Sequence, residues 1–269
     1  MGESKYTCVV LGGAGFIGSA IVREAGVRGY DVRSVGRQNY QELSGTRCDL
    51  LIDANGNSKK YLAKQDPKDD FDKSVQSVVN SLHDFQTSCY VYLSSVDVYS
   101  DVSDPSQNDE MSLIDAKQLS AYGFHKYIAE QLVRFYVNSW LVFRMGAFVG
   151  HGLWKNPIYD ILKHQQPHIH PDSINSYLNT CHLAQLVFQV FESGCRAEIF
   201  NVTGDGIISL RKIAAMVPGY NVSKTSEMLP IERYNINIEK IKARVHIPQT
   251  TQVVRQFIAD VLSGKETIR

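Results

Sequence analysis

Tyr122 and Lys126 stand four residues apart in Tyr122-Gly-Phe-His-Lys126, a stretch that reads as helix. That spacing puts both side chains on one helical face. An ammonium beside a phenol favours the phenolate and lowers the phenol's pKa toward working pH, which makes Tyr122 a candidate general acid/base. The same ammonium could bond a ribose. A Tyr-x-x-x-Lys pair alone is common by chance. Its weight comes from Leu93-Ser94-Ser95, at the end of the apolar run Cys89–Leu93. A serine hydroxyl at the carboxyl end of a parallel strand, where ligands bind, could hold a carbonyl or alcohol oxygen beside the tyrosine.

The elements that must position these groups alternate along the chain. Tyr6–Leu11 is short, β-branched and stops at glycine, as a buried parallel strand does. Ser19–Gly26 reads as helix, Val32–Val35 and Asp49–Asp53 as strands. Phe71–Phe85 reads as helix, with Val75, Val78, Val79 and Leu82 on one face. Cys89–Leu93 is strand, Ser100–Met111 loop, Ser120–Tyr136 helix and Trp140–Arg144 strand. Strands alternating with helices indicate an α/β fold with a doubly wound parallel sheet of the Rossmann type. Beyond Gly150 prolines punctuate short elements, with a helix at His182–Phe191, a late strand at Glu198–Val202 and a closing helix at Val253–Leu262. Residues 1–150 therefore read as the dinucleotide-binding part that carries the catalytic residues. Residues 151–269 read as a small substrate cap, with strand 198–202 returning to the sheet.

Between the first strand and the first helix lies Gly12-Gly-Ala-Gly-Phe-Ile-Gly18, with glycines spaced G-x-x-G-x-x-G. A helix N-terminus offers unpaired N–H groups and partial positive charge, so it attracts a pyrophosphate. Gly12, Gly15, Phe16, Ile17 and Gly18 are the candidate dinucleotide contacts. NAD binders place Asp or Glu at the end of the second strand for the ribose hydroxyls. Here the strand ends Val35-Gly36-Arg37, without a carboxylate and with a guanidinium where a 2′-phosphate would sit. NADP is the expected cofactor, with NAD as the alternative.

Composition narrows the partners. Lys+Arg 28 balance Asp+Glu 28, so a net basic surface is excluded as the attraction for nucleic acid or anionic lipid. No apolar run is long enough to span a membrane, and Met1–Tyr6 lacks a secretion pattern and has Tyr6 where myristoylation wants Ser or Thr. The five scattered cysteines read as buried thiols of a cytoplasmic protein, not as a disulfide framework or a zinc site. His164, His168, His170 and Asp172 are too irregularly spaced for a metal site, and none is expected.

The chain resembles the extended short-chain dehydrogenase/reductase superfamily, in its nucleotide-sugar epimerase/dehydratase/reductase branch, over nearly its whole length. Gly12–Gly18 matches that family's cofactor loop, and Ser94-Ser-Val-Asp-Val-Tyr99 resembles its S-S-x-x-V-Y-G segment, with Ser100 in place of the glycine. Glu110 followed by Ala121–Lys126 fits its E…x-Y-G-x-x-K stretch. Arg144–Gly150 and Asn201-Val-Thr-Gly204 resemble two later segments. The resemblance implies Tyr122 as general acid/base, Lys126 as its electrostatic partner and Ser95 as substrate anchor. It also implies a C-terminal part that grips a nucleoside-diphosphate sugar, and a homodimer through a helix pair.

Departures accompany the likeness. Gln38–Cys48 is too short for the strand–helix unit expected after the second strand, so the sheet's edge unit is predicted to be missing. Asn55-Gly-Asn57 replaces an alanine-rich turn, and Ser74-Val75 stands where the family often has Asn-Val. Dehydratases of the branch carry an acid pair after the catalytic hydroxyl residue. Here the first position is Val96, which leaves Asp97 as a candidate substrate contact whose plain reading is a hydrogen-bonded loop carboxylate. His151 and Trp154 follow the end of a sheet strand and could border sugar or base. Arg233 falls where the family often has an arginine for the diphosphate.

The expected function is NADPH-dependent reduction of a keto group on a nucleotide-activated sugar. The alternatives are an NAD-dependent epimerase with the same three residues, a dehydratase, and a non-catalytic redox-sensing binder, which the Tyr122–Lys126 pair argues against.

Overall fold

The computed structural model describes residues 6–58 and 60–269. The expectations drawn from Met1–Lys5 lie outside the described residues. In chain order the first elements are β1 (Thr7–Leu11), α1 (Phe16–Val27), β2 (Asp31–Val35), α2 (Tyr40–Leu43), β3 (Arg47–Asp53), α3 (Lys60–Gln65), α4 (Pro67–Phe71), α5 (Ser77–Asp84) and β4 (Gln86–Ser95). Next come α6 (Ala121–Tyr136), β5 (Trp140–Met145), β6 (Ala147–Val149), α7 (Pro157–Leu162), β7 (Ile174–Asn175), β8 (Tyr177–Asn179) and α8 (Thr180–Glu192). The last are β9 (Glu198–Val202), β10 (Ile208–Ser209), α9 (Leu210–Ala214), α10 (Glu239–Lys242) and α11 (Thr250–Leu262).

Six strands form one parallel sheet in the order β2-β1-β3-β4-β5-β9. Strand residues alternate between its faces. Cys8, Val10, Leu50, Ile52, Val91 and Leu93 share a core with α1 and α8. Val9, Leu11, Leu51, Tyr90, Tyr92 and Val142 share another with α5 and α6. Burial on both sides is why these strands read as apolar runs without alternation. A third core, including Val149, Ile158, Ile161, Tyr177, Ile213 and Phe257, sits under the C-terminal elements. There two short pairs, β6–β8 and β7–β10, make separate sheets.

The edge unit is missing as the spacing predicts: β2 is an edge strand, and only α2 separates it from β3. Strand β9 spans Glu198–Val202 and returns to β5. The helix expected over Phe71–Phe85 is corrected in form. The helical run begins at Pro67, capped by Asp66, and contains a π turn over Asp72–Gln76 before α5. Helix α3 and the two small sheets escape the sequence reading, because two- to six-residue elements carry too little periodicity. Among the described residues no helix is long and apolar enough to cross a membrane.

Candidate active site

The glycine loop joins β1 to α1. Gly12 has φ +70°, a conformation that glycine tolerates and other residues rarely adopt. A Cβ at Gly18 would lie 2.2 Å from the Gly12 carbonyl oxygen, so the helix can approach the strand only with glycine there. The N-cap of α1 is Gly15, with no side-chain cap and no acidic residue in the first turn. The N–H groups at that end are thus left for an anion. This cradle fits a dinucleotide pyrophosphate. Phe16 and Ile17 pack their side chains on the cores, which leaves their backbone to face a ligand. Arg37 is exposed just beyond β2. The turn before it is pinned by Asn39, whose Oδ1 accepts from Gly36 N–H at 2.7 Å and whose Nδ2 donates to Ser34 O at 3.0 Å.

Strand β4 ends in two serines with different partners. Ser94 Oγ donates to buried Glu130 at 2.6 Å. Ser95 Oγ donates to Asp97 Oδ2 at 2.8 Å, and its hydroxyl favours the Tyr122 phenolate. The two serines are therefore turned apart, Ser94 to Glu130 and Ser95 to Asp97. Helix α6 starts beside them, with Ser120 Oγ accepting from Gly123 N–H at 3.1 Å. A Cβ at Gly123 would stand 2.0 Å from the Asp97 carbonyl oxygen, so the Asp97 backbone packs directly on the helix that carries Tyr122.

Tyr122, Lys126 and Glu130 are buried and lie one turn apart along α6. Lys126 Nζ donates to Leu93 O at 3.3 Å and lies 5.1 Å from the centre of the Tyr92 ring. Burial pulls the Lys126 ammonium down, while Asp53, Asp70 and Glu130 oppose that pull. Glu130 is itself held by a bidentate Arg144, with Nη2–Oε2 at 2.8 Å. Asp70 accepts from Asn57 Nδ2 at 2.7 Å and lies 2.6 Å from His125 Nδ1.

The phenol is not acidified in the expected way. Burial pushes Tyr122 up, and Asp97 adds to the rise. Among the largest influences on it, the cation that opposes both is Lys60. Both Lys60 and its setting escape the sequence reading. Lys60 Nζ, at the start of α3, donates to Asp97 Oδ1 at 2.7 Å and to Tyr234 OH at 2.9 Å. Tyr234 OH lies 3.1 Å from the same Asp97 oxygen. Burial pulls the Lys60 ammonium down, but Asp97 and Tyr234 outweigh it and hold the group above the ordinary lysine range. Side chains 37 and 174 residues away left no local signal for this cluster.

The substrate candidates divide. Asp97 is in the cluster. Arg233 is not shown there: its backbone pairs with Ile174, its charge acts on Asp172, and the neighbouring Tyr234 is the residue that reaches Asp97. His151 is mostly exposed, with its Nδ1 2.8 Å from Glu266 Oε1 near the C-terminal end. Trp154 stacks under Lys155, whose Nζ bonds Ser58 in the loop after β3. Among the described residues His170, Asp172 and Glu227 come within metal-ligand range of one another. Arg211 already bonds both carboxylates, at 2.8 and 3.0 Å.

A model of the NAD dependent epimerase/dehydratase family matches residues 8–156. Among solved structures, a UDP-galactose 4-epimerase is similar with a TM-score of 0.76 at 21% identity, over 96% of this chain and 99% of that one. The dTDP-4-dehydrorhamnose reductase of Bacillus anthracis str. Ames, in complex with NADP, gives 0.77 at 16% identity, over 97% and 100%. A Bordetella bronchiseptica enzyme in complex with NAD and UDP gives 0.77 at 13% identity, over 99% of each chain. No curated protein matches by sequence.

Proposed function

We propose that this chain, which belongs to the NAD dependent epimerase/dehydratase family, reduces a keto group on a nucleotide-activated sugar with NADPH. The observation that carries the reading is the meeting of Ser95, Tyr122 and Asp97 at the end of β4, with Lys126 one turn along α6. Residues 1–150 would hold the cofactor and the catalytic groups, and residues 151–269 the sugar nucleotide.

The glycine loop and the open end of α1 would receive the pyrophosphate, and Arg37 a 2′-phosphate. When bound, the nicotinamide supplies the hydride. Tyr122 would give its proton to the developing alkoxide. A phenol kept protonated by burial is suited to that role as an acid. Ser95 would turn its hydroxyl from Asp97 to the substrate oxygen. Lys126, with a single protein hydrogen-bond partner among the described residues, has donors left for a ribose. We also propose a cytoplasmic homodimer formed through a helix pair.

The test is oxidation of NADPH on mixing with dTDP-4-dehydrorhamnose and other nucleotide 4-keto sugars, repeated with NADH. Turnover with a clear NADPH preference is expected. Sugar conversion without added cofactor, and without net nicotinamide change, would instead show the epimerase.

A further inference from the structure

Asp70 is fully buried and joins three segments. Its Oδ1 accepts from Asn57 Nδ2 at 2.7 Å and from Ser74 Oγ at 3.4 Å, and its Oδ2 lies 2.6 Å from His125 Nδ1. Asn57 lies in the turn after β3, Ser74 in the π turn over Asp72–Gln76, and His125 on α6 next to Lys126. A buried acceptor that loses its donor costs free energy, so this junction is stiff.

Residues 54–57 run between two parts of the proposed dinucleotide site. At the near end Ala54 N–H donates to Leu11 O at 3.0 Å, and a Cβ on Gly12 would stand 3.2 Å from Asn55 Cα. Asp53 holds this end, with Oδ1 accepting from Asn55 N–H at 2.9 Å and Oδ2 from Tyr90 OH at 2.8 Å. At the far end a Cβ on Gly56, whose φ is +110°, would stand 3.4 Å from Lys126 Nζ and 3.8 Å from Ser74 Oγ. Asp70 holds that end through Asn57. Asn55-Gly-Asn57 stands where the resembled family has an alanine-rich turn, and alanine would bring Asp70 no side-chain donor.

We propose that Asp70 is a positioning residue for Lys126: through Asn57 it seats the turn against the ammonium, and through His125 it ties the same carboxyl group to α6, so that the lysine's donors are set for the nicotinamide ribose before a ligand arrives. This rests on the part of the functional reading that puts a dinucleotide on the glycine loop and Lys126. Fully buried, Asp70 acts through these partners and meets no ligand itself. A turn and a lysine fixed in advance spare the ligand the cost of ordering them.

The test is titration calorimetry on the full chain, with no sugar present. NADPH carries the nicotinamide ribose; adenosine 2′,5′-bisphosphate carries the adenine half without it. Asn57→Leu removes the donor at unchanged charge. It is expected to weaken NADPH about tenfold and to leave the bisphosphate within about twofold, a split that general loosening of the fold would not give. Asn57→Asp sets two carboxyl groups face to face and should weaken NADPH at least as much. Adding Asp70→Asn reverses the bond, with an amide at position 70 donating to a carboxylate at position 57. NADPH affinity should then return to within about threefold of wild type. Unchanged NADPH affinity in Asn57→Leu, equal losses for NADPH and the bisphosphate, or no recovery in the double variant overturns the proposal. The double variant carries the test should Asn57→Leu fold poorly. If the wild type prefers NADH, then NADH and adenosine diphosphate replace the two probes, and only the NADPH part of the functional reading falls. A wild type that binds neither dinucleotide overturns both. Inactivity toward every nucleotide sugar would defeat the functional reading and leave this result standing.

Discussion

Lys126 and Lys60 both serve the neighbourhood of Tyr122, in opposite surroundings. Lys126 is buried, bonded to one backbone carbonyl, and its ammonium is pulled down by burial against three carboxylates. Lys60 is half exposed, bonded to Asp97 and Tyr234, and held protonated. The first is a cation kept under-bonded inside the fold, which is a state that suits a ligand. The second is a cation already satisfied, which suits a connection to solvent. A pair found by helical spacing and a cluster assembled from distant segments thus place two cations of opposite character near one phenol.

Substitutions can sharpen or break that contrast. Tyr122→Phe has the largest expected effect, a loss of about 10²- to 10⁴-fold in kcat read from NADPH oxidation; unchanged turnover would remove the phenol from the chemistry. Arg144→Met takes the guanidinium from buried Glu130 and leaves it, among the described residues, only the Ser94 hydroxyl as hydrogen-bond donor. It is expected to cost about 3–5 kcal/mol of stability in a urea titration, since that pair is fully buried. Gly123→Ala presses a methyl group into the Asp97 carbonyl and should cost about 1–3 kcal/mol, with slowed turnover, because Asp97 and Tyr122 are driven apart. Lys60→Met should change stability by less than about 1 kcal/mol, as a half-exposed pair does. If it unfolds the protein as readily as Arg144→Met, Lys60 is a structural residue and the contrast is lost. Arg37→Ser is expected to raise KM for NADPH about tenfold and leave KM for NADH unmoved.

The elements that place Lys126 were readable because their signals are local. Apolar runs gave β1, β3 and β4, the glycine loop marked the first turn, and the four-residue spacing put Tyr122 and Lys126 on one face. The missing edge unit followed from the family resemblance set against the spacing, since Gln38–Cys48 cannot hold the strand and helix that the family usually has there. The Lys60 cluster was not readable. Lys60 opens a six-residue helix, and its partners lie in the turn after β4 and in the C-terminal segment. The sign of the shift on Tyr122 was missed for a related reason. Spacing reports which charge is near, but not that burial outweighs it.

The shortened sheet has a consequence for how a nucleotide is gripped. With β2 at the rim, the adenosine end would rest against water on one flank, so little apolar surface there can help retain it. Attachment would then depend on phosphate oxygens meeting the amide groups of α1 and the Arg37 guanidinium, and mobile ions weaken exposed attractions of that kind over about 8–10 Å at physiological strength. Affinity for the phosphorylated dinucleotide should therefore decline as potassium chloride is added, and more steeply than affinity for its unphosphorylated counterpart.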